Sequence, residues 1–153
     1  MLEWGRKSAG AVSVVQNGSI VAEVRASSFR ERADVAINAE QWQFFKRSGS
    51  LHAVPEGRTG GMSASRRSVF RQGWEIDAGA QTYRIRPVGF LQTRYRVERA
   101  GTRIGESHKA SFWSSRPTLD VDASVPLEHQ VFLLWVAYIM RRRAAGAAAA
   151  GGG

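Results

Sequence analysis

The chain contains no cysteine, which excludes disulfides, thiolate zinc sites and thiol nucleophiles together and fits a reducing cytoplasm. Lysine is nearly missing as well: Lys7, Lys46 and Lys109 are all there are, so a net charge of +9 rests on arginine. Near the N-terminus Arg6 and Lys7 are followed by no apolar stretch, and a secretory signal is not expected. Catalytic signatures are absent too. His52, His108 and His129 stand far apart without HExxH spacing and read as surface or structural residues, with His129, beside a helix start, expected to hydrogen-bond at a barrel mouth; no G-x-S-x-G occurs. Gly57-Arg58-Thr59-Gly60-Gly61 lacks the GK[ST] ending of a phosphate loop. Asp120 and Asp122 read as the solvent face of a strand rather than as a catalytic pair. These gaps point away from an enzyme and imply no metal and no cofactor.

What the chain does have is period-2 alternation. Val12 to Val15 and Ser19 to Val24 flank Asn17-Gly18, a strong two-residue hairpin signal because both positions tolerate positive φ. Alternation returns at Ala33 to Ala39 and Gln41 to Phe45, then at Trp74 to Ala78, Tyr83 to Arg86 and Tyr95 to Glu98. Arg99-Ala100-Gly101 turns the chain into Thr102 to Glu106, and Leu119 to Asp122 closes the series. Arg47 to Arg67, rich in Gly, Ser and Arg, reads as a long loop with one weak strand near Met62. Roughly ten short strands at intervals of about 8–12 residues predict a sandwich or barrel.

The exception comes last. Pro126 and Glu128 suit a helix start, Val131 to Met140 is ten consecutive apolar residues, and Arg141, Arg142 and Arg143 close the run. A helix apolar on all sides is either a membrane span or fully buried. About 20 apolar residues are needed to span a bilayer, and extension meets Glu128, His129 and Gln130 on one side and three arginines on the other. The expectation is a core helix from Pro126 to Met140, about 22 Å long, with no transmembrane segment. Two layers cover only one side of such a helix, so strands must wrap it. The arginines would then emerge at the far mouth. The domain is expected to cover residues 1–143, followed by a disordered Ala/Gly tail at 144–153 that has no apolar surface to bury; the alternative, a helical extension through Ala147 to Ala150, would have nothing to pack against.

The stretch Gly73 to Arg143 carries a resemblance: Trp74-Glu75-Ile76, Tyr83-Arg84-Ile85-Arg86, Gly89-Phe90, Tyr95-Arg96-Val97-Glu98, Gly101-Thr102-Arg103-Ile104-Gly105 and the terminal helix. It resembles the tubby-like C-terminal fold, in the branch of LURP-one-related and phospholipid-scramblase-like proteins. The resemblance implies a closed antiparallel β-barrel of about twelve short strands enclosing the apolar C-terminal helix. It also implies links to membranes or phosphoinositides. The cysteine-dependent and calcium-linked features of animal scramblases do not transfer, because this chain has neither cysteine nor an Asp-rich loop.

The functional hint is basic. If the Tyr83 and Tyr95 strands pair, Arg84, Arg86, Arg94 and Arg96 share an outer face, with Arg103 following. Like charges across a ladder repel, so either Glu75 and Glu98 pair with them or an anionic ligand is held there. Phosphate-bearing lipid headgroups suit the planar arginine fork. Arg66, Arg67 and Arg71 around Phe70 form a second candidate cluster. The expectation is a non-enzymatic, cytoplasmic module, peripheral at the membrane, that binds anionic lipid or a protein partner through its basic outer face. The alternative is a nucleic-acid-binding barrel, in which Tyr83 and Tyr95 would have to be exposed for stacking.

Overall fold

The computed structural model describes residues 1–27, 31–66, 73–89, 93–111 and 113–151. Twelve strands follow one another: β1 (Leu2–Ser8), β2 (Ala11–Gln16), β3 (Ser19–Ala26), β4 (Arg32–Ile37), β5 (Glu40–Arg47), β6 (Ser50–Pro55), β7 (Met62–Ser65), β8 (Trp74–Ala78), β9 (Gln81–Val88), β10 (Arg94–Arg99), β11 (Thr102–Lys109) and β12 (Pro117–Val121). A single helix, α1 (Leu127–Gly151), ends the described chain. Every strand pairs antiparallel with its chain neighbour, and β1 pairs with β12, so the sheet closes as an up-and-down barrel. Closure removes the exposed edges that an open sheet would present.

The tight turns follow from local chemistry. Ala9-Gly10, Asn17-Gly18, Ser48-Gly49 and Ala100-Gly101 each hold both residues at positive φ, the geometry whose twist matches paired strands.

Along most strands apolar inward positions alternate with polar outward ones, Ser107 of β11 and Thr118 of β12 being buried polar exceptions. Val35 and Ile37, Trp42 and Phe44, Ile76, Tyr83 and Ile85, and Tyr95 and Val97 all point inward and are buried. Ala22, Ala33, Ala53 and Ala64 are inward as well, and their small side chains leave the bore wide enough for a helix. Val131 through Ala137 of α1 are buried without interruption. Phe44 meets the Phe132 ring edge-on at 5.4 Å and the Trp135 ring at 5.3 Å. The barrel interior is therefore a packed core, and the closed twelve-stranded architecture expected from the resemblance is the one observed.

Two local expectations are corrected, and one strand that the sequence pattern left unassigned is added. Leu2–Ser8 is a strand, although Gly5 and the charges of Arg6 and Lys7 mask its alternation; it forms by pairing with both β2 and β12. Residues 50–55, expected within a loop, form β6, with Leu51, Ala53 and Pro55 buried. The helix does not stop at the arginines but runs to Gly151, so Ala144 to Gly151 is an exposed helical extension rather than a disordered tail. A helix already nucleated in the core needs only propagation, for which alanine is the best residue. Residues 152 and 153 lie outside the described residues.

Candidate functional site

The alternating strand direction gives the barrel two distinct mouths. The helix enters beside the β2–β3, β4–β5, β6–β7, β8–β9 and β10–β11 turns, and it leaves beside the β1–β2, β3–β4, β5–β6, β7–β8, β9–β10 and β11–β12 connections. At the entry mouth the Tyr83 hydroxyl lies 2.9 Å from His129 Nδ1. The Asp122 carboxylate accepts the Ser124 N–H at 2.8 Å, and the Gln130 amide donates to the Val125 carbonyl at 2.7 Å. These bonds seat the helix N-terminus. The role expected of His129, a hydrogen bond at the barrel mouth, is the one observed.

Strands β9, β10 and β11 bring the predicted arginines together. Arg96 stands opposite Arg86, and Arg84 stands opposite Glu98 on one side and Glu75 on the other. On the next ladder Glu106 faces Arg96 and Glu98 faces Arg103. The ion pairs run diagonally to that register or along one strand. Arg86 binds Glu98 at 2.8 Å, while Glu106 takes Arg94 at 3.0 Å and Arg103 at 2.6 Å. Burial raises the Glu106 carboxyl, but the Arg94 hydrogen bond and the charges of Arg103 and Arg94 outweigh it and hold the group below its ordinary range. Apart from the facing Arg86 and Arg96, arginines on this face are interleaved with carboxylates, and Glu106, not singled out from the sequence, does as much neutralising as Glu98. Tyr83 and Tyr95 point inward and are buried, so neither offers a face for base stacking. Arg67, Arg71 and Phe70 lie outside the described residues.

The larger electrostatic feature runs along the barrel axis. Consider each mouth as its connections plus the two strand residues on either side. Among the described residues the exit mouth collects Lys7, Arg25, Arg32, Lys46, Arg47, Arg66, Arg94, Lys109 and Arg116 from the strands and loops, and Arg141 to Arg143 from the helix. Within the same bounds the described carboxylates are Glu31 and Glu75, while Glu23 and Glu106, further along their strands, pair with Arg25 and Arg94. The entry mouth is the reverse: Glu3, Glu40, Glu56, Asp77, Glu98, Asp120, Asp122 and Glu128 face Arg58, Arg99 and Arg103. The molecule is basic at one end and acidic at the other.

Aromatic side chains line the basic end. Arg143 lies over the Trp74 ring at 5.0 Å and forks onto Glu31, with Nε donating to Oε1 at 2.7 Å. That hydrogen bond is the chief cause holding the Glu31 carboxyl below its ordinary value. Arg141 lies over the Tyr95 ring at 4.7 Å and donates to the Thr93 carbonyl at 2.9 Å. Its Nε and second terminal nitrogen are buried without a hydrogen-bond partner, and burial lowers the tendency of this guanidinium to hold its proton. Two cavities flank the emerging helix. One, of about 270 Å³, is lined by Trp74, Tyr95, Arg66 and Arg143 among others. The other, of about 370 Å³, is lined by Trp4, Tyr138, Lys7 and Arg142 among others, with Trp4 stacked on Tyr138 at 4.6 Å.

Among the described residues no cluster of three or more His, Asp and Glu side chains is arranged to hold a metal ion. Nor, among them, is any helix long and apolar enough to cross a membrane. Comparison of the chain with protein-family models, curated proteins and solved structures returns no match.

Proposed function

We propose that the protein is a non-enzymatic barrel module of the tubby-like kind that docks on anionic phospholipid surfaces, exit mouth first. The observation that carries this reading is the axial separation of charge, twelve cations against two carboxylates at one end. The outer-face arginines Arg84, Arg86, Arg94, Arg96 and Arg103 contribute less than the sequence suggests, because Glu75, Glu98 and Glu106 are interleaved with them. The exit mouth keeps most of its charge uncompensated. Basic residues beside an anionic leaflet each contribute about 1 kcal/mol, and guanidinium groups match lipid phosphates as bidentate donors. The two orphaned donors of Arg141 lack the kind of acceptor an anion supplies. A cytoplasmic protein visiting the inner leaflet is the corresponding location.

The test separates position of charge from amount of charge. Lys46→Gln with Arg47→Gln removes two positive charges at the exit mouth. Ser19→Glu with Gln81→Glu changes net charge equally at the entry mouth, where both residues are exposed. In sedimentation with phosphatidylserine-containing vesicles, the first pair is expected to weaken binding about tenfold or more, and the second pair by less than about twofold. Equal effects of the two pairs, or no vesicle binding by the folded protein at low salt, would overturn the reading.

A further inference from the structure

One loop on the basic mouth presents a large apolar side chain to solvent. Trp113 is 92% exposed, whereas Trp4, Trp42, Trp74 and Trp135 are all buried. The loop that carries it is built to project. The β11–β12 ladder runs to Lys109 and Pro117, and the Ala110 N–H extends it by donating to the Arg116 carbonyl at 2.9 Å. Beyond that bond the Ser114 N–H donates to the Ser111 carbonyl at 3.1 Å. Ser114 Oγ accepts from both the backbone N–H and the Nε of Arg116, at 3.1 and 2.9 Å, which ties down the base. The ring is therefore held at the tip of a hydrogen-bonded hairpin extension.

Its surroundings decide what it meets. Lys109 and Arg116 flank the loop, and the neighbouring strands contribute Lys7 from β1 and Arg94 from β10. An indole is amphipathic and settles at the headgroup boundary, while flanking cations engage lipid phosphates. The large exposed aliphatic side chains away from this mouth, Ile20 at the β2–β3 turn and Val54 near the end of β6, sit at the acidic end, where an anionic leaflet is repelled.

Building on the proposed docking of the exit mouth, we infer that Trp113 is its apolar anchor, entering the interfacial layer of an anionic bilayer when the basic mouth meets it. Charge then brings the mouth to the surface, and the indole fixes which part of the rim goes deepest.

The arrangement of tryptophans provides the readout, because Trp113 alone is strongly exposed. With vesicles of phosphatidylcholine and phosphatidylserine, the wild-type emission is expected to shift to the blue, lose acrylamide quenching and become quenched by brominated lipid. Trp113→Ala should lack all three changes and bind about tenfold more weakly, the loss expected for an interfacial aromatic. Ile20→Ala, at the opposite mouth, should bind as the wild type does. Wild-type and Trp113→Ala proteins that bind alike, with no change in emission, would overturn the anchor and leave docking of the mouth intact. No wild-type binding to these vesicles would remove the docking itself. Quenching of Trp113 by a single-stranded oligonucleotide, with vesicles inert, would assign the loop to base stacking instead.

Discussion

At Gly105 a β-carbon would overlap the Asp120 carbonyl oxygen and come within 2.7 Å of Val121 Cα. The residue faces a register shift between Val97 and Glu98 on β10, so β11 is squeezed between a bulged strand and β12. Gly105→Ala is expected to cost about 2–3 kcal/mol, read as a lower urea midpoint, because backbone rather than a flexible side chain must yield. His129 makes a different prediction. Burial holds its imidazole below the ordinary value of 6.5, with Glu128 acting in the opposite direction. The unfolded chain therefore takes up a proton first as pH falls, and stability is lost on acidification through about pH 6.5. It is regained as pH rises above that range. Equilibrium unfolding at several pH values should show this step, and His129→Gln should lack it. The Glu31 carboxylate titrates lower, since Arg143 depresses it; its contribution is present above its ordinary 4.5 and lost only at more acidic pH. Of these residues, only His129 at a barrel mouth was legible in the sequence. The pressure on Gly105 arises from β12, which no local pattern connects to it.

At the scale of elements the helix dominates. Leu133 sits midway along the buried run with no exposed surface. Leu133→Ala is expected to cost about 3–5 kcal/mol in denaturant unfolding, since a closed sheet cannot collapse freely onto the void. That helix was the clearest element in the sequence, because ten apolar residues bounded by charges are too few for a span and too uniform for a surface. Its extension to Gly151 was legible only as an alternative to a disordered tail. Packing arguments find nothing in Ala144 to Gly151 to bury, and propagation from an existing helix needs no burial. The strands divide similarly. Those with clean alternation, such as β8 through β10, could be read directly, whereas β1 and β6 owe their pairing to neighbours on both sides.

At the scale of the whole molecule the charge separation matters most, and it was invisible in the sequence. Lys7, Arg25, Lys46, Arg47 and Lys109 lie at the C-terminal ends of odd-numbered strands and Arg32 and Arg94 at the N-terminal ends of even-numbered ones, with Arg99 and Arg103 the exceptions at the other mouth. Read along the chain these charges look scattered. Only the up-and-down topology, reversing at every turn, stacks them at one mouth. The outer-face arginines of β9 and β10 were legible because they cluster locally, but their neutralisation by Glu106 required knowing that β11 lies alongside. A molecule polarised in this way orients before it touches an anionic surface. Its attraction weakens as salt shortens the Debye length, from about 10 Å at 0.1 M to about 3 Å at 1 M.

The seam between β1 and β12 has a further consequence. Eleven of the twelve ladders join strands that follow one another in the chain, and these hairpins can form while most of the protein is still unstructured. The twelfth joins Leu2 to Leu119 and Glu3 to Thr118, residues separated by nearly the whole domain. Loop-closure entropy therefore falls on a single late event. Until that event, two strand edges and one flank of a wholly apolar helix stand open to water. Folding of this barrel is a race between closing one short seam and meeting another copy with the same seam unclosed.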